Sequence, residues 1–130
     1  MRKSVLIALT VLLVVASHAA ADLKVIAEQT AGDFAVALLS ESGQWTTGTN
    51  TFVLRLTKAG QPADGGKVSL GTSMAMPGMA PMLASAKLAP DGPGRYRGTI
   101  SFPDRGSRQV TVAWDGPVGH GSTKFTVRVR

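Results

Sequence analysis

RYRGTISFPDRGSRQVTVAW, residues 95–114, decides the fold. In its first half Tyr96, Ile100 and Phe102 fall on one face of an extended chain and Arg95, Arg97, Thr99 and Ser101 on the other. PDRG at 103–106 reads as a turn, after which Val110, Val112 and Trp114 resume the same alternation. Period two is the mark of a strand buried on one side. Two such runs joined by a short Pro/Gly turn predict an antiparallel pair with one face toward a core.

The same grammar extends in both directions. In TFVLRLT, residues 51–57, Phe52, Leu54 and Leu56 oppose Val53, Arg55 and Thr57. In KFTVRVR, residues 124–130, Phe125, Val127 and Val129 oppose Thr126, Arg128 and Arg130. Turn signals punctuate the chain at AGD (31–33), ESGQ (41–44), KAGQPADGG (58–66), PDGPG (90–94) and DGPVGHG (115–121). Short alternating strands between regularly spaced turns predict an all-β chain. The expected architecture is an immunoglobulin-like antiparallel β-sandwich of roughly seven to eight strands. DGPGRY resembles the turn into a tyrosine corner, so Tyr96 either anchors the preceding loop through its hydroxyl or packs as a core aromatic. Arg95, Arg97, Arg128 and Arg130 fall on outward faces, where charge discourages edge pairing.

The N-terminus reads as a secretory signal peptide. Arg2 and Lys3 precede an apolar run from Val5 to Val15, too short to span a bilayer comfortably, and Ala19 and Ala21 supply the small residues of a cleavage site. Residues 1–21 are therefore expected to be a signal peptide cleaved before Asp22, and residues 22–130 a single exported domain, periplasmic or secreted. An uncleaved signal retained as an anchor is the alternative; once the signal is cleaved, no later stretch is apolar enough to span a membrane. Removing Arg2 and Lys3 lowers the formal charge from +6 to +4. That mild charge, without interleaved basic and aromatic residues, gives no nucleic-acid signature. The chain has no cysteine, so no disulfide staples it and one hydrophobic core must hold it.

Enzymatic constellations are sparse. His120 is the single histidine beyond the signal, and the acids are scattered singly, leaving no paired carboxylates and no nucleophile with an evident base. The chain is expected not to be an enzyme. GPVGHGSTK, residues 116–124, superficially resembles a phosphate-binding loop, but the lysine required directly after Gly121 is missing and a strand follows rather than a helix.

The one concentrated chemistry is SMAMPGMAPM, residues 73–82, which holds Met74, Met76, Met79 and Met82; the only other methionine is Met1. A thioether is a soft, neutral ligand that selects Cu(I) or Ag(I) and needs no deprotonation. Pro77, Gly78 and Pro81 force a reversal, so sulfurs on either side of it could converge, with His120 as a further ligand from another loop. Two other readings stand beside this one. Met74, Met76 and Met82 could fill the end of the core with Met79 alone at a hairpin tip, or the cluster could be an adaptable apolar docking patch. Trp45 and Trp114 read as packing residues, although a tryptophan face also suits a bound cation.

The order of parts, GTNTFVLRLTKAGQPADGGKVSL, then the Met/Pro/Gly cluster, then PGRYRGTISF and a Gly-ended turn into a strand, resembles the YtkA-like domain family, related to FixH-like proteins. The resemblance runs from about Gly32 to Arg130. Members commonly carry a G-x-W pattern at the last turn; here Gly106 is followed by Ser107 and Arg108, and the first tryptophan after it is Trp114. The resemblance implies an immunoglobulin-like sandwich in the periplasm or at the cell surface, with a role in heavy-metal efflux, copper resistance or copper supply to an oxidase. It maps the family's Met cluster onto Met74, Met76, Met79 and Met82. The expected function is a copper-binding, Cu(I)/Ag(I), accessory or chaperone protein that serves a membrane efflux or oxidase-assembly partner. The alternative is a metal-free module that docks through its Met-rich end.

Overall fold

A computed structural model describes residues 22–130. The signal peptide expected at residues 1–21 lies outside the described residues. Ten strands follow in order: β1 (Lys24–Ala31), β2 (Phe34–Ser40), β3 (Gly48–Lys58), β4 (Gln61–Pro62), β5 (Lys67–Met76), β6 (Met79–Ser85), β7 (Lys87–Pro90), β8 (Arg95–Phe102), β9 (Gly106–Gly116) and β10 (Gly119–Val129). They form two antiparallel sheets. One runs β1-β2-β3-β8-β7 with β4 attached to β3, and the other runs β10-β9-β5-β6.

The strand count exceeds the expected seven to eight for two local reasons. Ala59 and Gly60 both take positive φ, 51° and 82°, and fold the chain back so that Gln61–Pro62 pairs briefly with Thr57–Lys58. The run MLASAKL, which alternates as one strand in the sequence, breaks at Ala86: β6 pairs with β5 in one sheet and β7 with β8 in the other. The Ala86 N–H donates to the Leu70 carbonyl at 3.0 Å, so the crossing residue keeps a backbone partner.

The core lies between the sheets and follows the alternation. Val36, Leu38, Phe52, Leu54, Leu56, Ile100 and Phe102 from one sheet meet Leu70, Val110, Val112, Trp114, Val127 and Val129 from the other. Trp45 is fully buried against Phe52 and Phe102, with ring centroids 5.4 and 5.1 Å away. A large aromatic of this kind contributes about 3–5 kcal/mol when judged by truncation to alanine. Val53 is buried although it points away from this core, because Ala37, Leu39 and the half-buried Leu23 form a second small cluster around it on the outer face.

Tyr96 serves both roles foreseen for it, at a different loop. Its ring is buried in the core, and its hydroxyl accepts a hydrogen bond from the Gly65 N–H at 2.9 Å. It therefore ties down the turn before β5 rather than the adjoining turn at 91–94. A buried N–H left unpaired there would cost about 1–3 kcal/mol, so this bond fixes where β5 starts.

Candidate metal centre

The Met cluster is the tip of the hairpin β5–β6 at one end of the four-stranded sheet. Met76 and Met79 close it around Pro77 and Gly78, with Gly78 at φ 74° and Pro77 held near the φ its ring imposes. Met74 lies opposite Met82, and the register shifts between the two methionine pairs. Ala75 alone separates them on β5, whereas Ala80 and Pro81 separate them on β6. That is a β-bulge, and it accommodates a proline that has no N–H for the ladder.

The bulge sets the phase of the sulfurs. Met79 and Met82 are three positions apart, so an unbroken strand would send them to opposite faces. The extra residue returns Met82 to the face of Met79, and cross-strand pairing puts Met74 and Met76 on that same face. Burial follows this assignment: Met74, Met76 and Met82 are half-buried while Ala75, Ala80, Pro81 and Leu83 are exposed. Met79, at the tip, is 71% exposed. Opposed positions lie about 5 Å apart and successive pairs about 7 Å along the strands, distances that long, three-torsion side chains readily bridge.

This placement disfavours the reading in which the methionines fill the core. Neither the buried core nor the partly buried side chains packed against it include any of the four. They form a thioether face at the rim of the sandwich.

Met74 is set apart from the other three by its neighbours. Gly106 takes φ 127°, and a Cβ there would come within 2.8 Å of the Met74 Cε, so the thioether lies directly over the start of β9. The Arg108 guanidinium donates through Nη1 to the Met74 Sδ and through Nη2 to the Asp104 carbonyl at 2.8 Å. Arg108 is 2% exposed and stacks over the Phe102 ring, 5.3 Å from its centroid. No residue reasoning from the sequence had assigned it a role. The signal was present, since Arg108 stands two positions before Val110 in phase with Val112 and Trp114, on the inward face.

His120 does not join the methionines. It is exposed, as expected for a residue flanked by Gly119 and Gly121, but it lies in β10 rather than in a loop and pairs with Asp115 of β9. Asp115 in turn pairs with Lys67, the first residue of β5. The whole of β5 therefore separates His120 from the Met76–Met79 tip, about 30 Å at the rise of a strand. The structure does not bring His120 together with the methionines of the same chain. The segment GPVGHGSTK forms the turn and second strand of the β9–β10 hairpin, which leaves no helix N-terminus to cradle phosphate.

Trp114 packs on Phe34 at a centroid distance of 5.0 Å at the His120 end, and Trp45 is wholly enclosed, so neither offers a ring face to the methionines. Among the described residues no three His, Cys, Asp or Glu side chains come together as a metal site. A concavity of about 520 Å³ lies elsewhere, along the outer face of β3 and β8 between Ser40, Thr49, Thr51, Arg95 and Arg97. Its Ser40 hydroxyl serves the neighbouring turn by accepting from the Gly43 N–H at 3.0 Å. The concentrated soft-ligand chemistry remains on the hairpin. No helix among the described residues is long and apolar enough to cross a membrane.

The family model described as YtkA-like matches residues 28–113, well over half of the chain. The chain belongs to the YtkA-like family. No curated protein and no solved structure shows significant similarity to it.

Proposed function

We propose that this protein is an exported, periplasmic accessory protein that binds Cu(I), with Ag(I) as its surrogate, on the thioether face of the β5–β6 hairpin and delivers it to a membrane efflux or oxidase-assembly partner. The observation that carries this reading is the phase of the four methionines: a bulge aligns them on one half-exposed face outside the core. Neutral thioethers suit a soft monocation and hold it without deprotonation. Because the face lies at the rim and its tip is open, a partner offering further soft ligands can take the ion by stepwise ligand exchange. No bond to the ion is covalent in the organic sense, and no catalytic step is required of the chain.

Anaerobic Cu(I) titration against a chromophoric chelator tests the proposal, with the Met76→Leu/Met79→Leu variant beside the wild type. The substitution keeps bulk and apolarity and removes two sulfurs. Saturable binding by the wild type and its loss in the variant are expected; equal behaviour of the two would remove the sulfurs from the account. Affinity should also stay flat between about pH 5 and 8, since an imidazole ligand would impose a slope there and a thioether does not.

A metal-free docking role is the second reading, favoured by one observation. The edge strand β6 exposes large apolar side chains, Met79 at 71% and Leu83 at 75%. On that reading the Met76→Leu/Met79→Leu variant retains its partner, because leucine presents the same apolar surface.

A further inference from the structure

Arg108 is a buried cation without a buried anion. The one ion pair among the described residues joins Arg97 to Asp91, so no carboxylate lies within 4.0 Å of the Arg108 guanidinium. A charge this deep is ordinarily paired, because desolvation without compensation is costly. Here its partners are a carbonyl, an aromatic face and the sulfur of Met74, all neutral. The positive charge is thus left unneutralised beside the methionine face.

We infer that Arg108 is a built-in brake on that face: it withdraws Met74 from the ligand set and opposes any cation held by Met76, Met79 and Met82. The inference rests on the proposed Cu(I)/Ag(I) reading and specifies how that site is tuned. Two physical effects act together. The Met74 sulfur accepts from Nη1, so one of its two lone pairs is engaged, and its methyl end is fixed over Gly106, which restrains the sulfur from turning the other toward the tip. The guanidinium charge, itself buried, then repels a monocation held farther out on the half-exposed face. The result is a three-sulfur site weaker than the count of methionines suggests, which suits an ion that must be handed on. A partner carboxylate brought against the rim would offset the guanidinium charge and relax the brake without touching the metal.

The test uses purified protein labelled with 13C at the methionine methyl groups, titrated with Ag(I), which stays in one oxidation state. Wild type, Arg108→Gln, Arg108→Leu and Met74→Leu are compared, with far-UV circular dichroism reporting the fold of each. In the wild type the methyl resonances of Met76, Met79 and Met82 should move while that of Met74 stays. In Arg108→Gln or Arg108→Leu all four should move, and the dissociation constant should fall about tenfold, the scale of one like charge at this range. Met74→Leu alone should change the wild-type dissociation constant by less than about threefold, because a sulfur already engaged by Arg108 contributes little to the ion.

Movement of the Met74 resonance together with the others in the wild type overturns the brake, and that arm does not depend on any variant folding. Tight wild-type binding that neither Arg108 variant improves also overturns it while leaving the carrier reading intact. Binding by an Arg108 variant and none by the wild type supports the brake and sinks the carrier reading. Absence of binding in every form sinks both.

Discussion

The four-stranded sheet carries two hairpins that obey different rules. In β9–β10 the register runs unbroken from Gly119↔Gly116 to Val129↔Gly106, and its inward side chains Val110, Val112, Trp114, Val127 and Val129 are all buried. In β5–β6 the pairing is interrupted by a bulge, the edge strand contains a proline, and the side chains brought into phase stay outside the core. The first hairpin is organised for packing. The second keeps four polarizable side chains on one face at the rim, where packing gives no reason to gather them. That contrast separates the residues that hold the fold from those that carry the chemistry.

The largest expected effect breaks the packing hairpin. Trp114→Ala removes a buried indole from β9 and should lower unfolding free energy by about 3–5 kcal/mol, read from a urea midpoint, with no bearing on how the Met tip meets an ion in whatever fraction stays folded. A midpoint unmoved by this substitution would mean that β9–β10 does not carry the core.

A smaller effect sharpens the contrast at the other hairpin. Exchanging two neighbours, Met82→Leu with Leu83→Met, keeps composition and volume but turns one sulfur from the methionine face to the outward face. Stability should change by less than about 1.5 kcal/mol, as for a volume-conserving Leu/Met exchange at a half-buried position, while Ag(I) affinity should fall about tenfold, the equivalent of roughly 1.4 kcal/mol. Unchanged affinity would show that phase does not matter and that the bulge is merely an edge device.

The smallest effect belongs to His120. Since β5 separates it from the Met tip, His120→Ala should alter Ag(I) affinity by less than about twofold and stability by less than about 0.5 kcal/mol, measured by the same competition and melting experiments. A larger loss of affinity would require a second chain to bring His120 to the methionines.

Much of the fold was legible because alternation is a direct imprint of a one-sided strand. β3, β8, β9 and β10 show it residue by residue, and each turn signal marks a break between strands. β2 hides it: FAVALLS is apolar at nearly every position because its inward Val36 and Leu38 face the main core while Ala37 and Leu39 join the small outer cluster. The exchange of sheets at Ala86 left no mark, since Met82, Ala84, Ala86 and Leu88 alternate smoothly through it and the change is one of partner, not of pattern.

For the candidate site, the sequence offered ligand type and clustering but not phase. The three-residue spacing of Met79 and Met82 conflicts with a simple strand, and only pairing reveals the bulge that reconciles them. Which methionine is engaged elsewhere was also hidden. The contact of Met74 with Arg108 spans 34 positions in the chain and depends on β5 and β9 lying side by side. The role of Tyr96 shows the same limit, because its hydroxyl was readable as an anchor while its partner Gly65 stands 31 positions away.

The most direct test of the thioether face is X-ray absorption at the copper edge on protein loaded anaerobically with one equivalent of Cu(I) and freed of unbound metal. A first shell of sulfur alone, lost on Met76→Leu/Met79→Leu substitution, is the predicted result. A shell dominated by nitrogen or oxygen, or no copper retained by the wild type, would contradict the account.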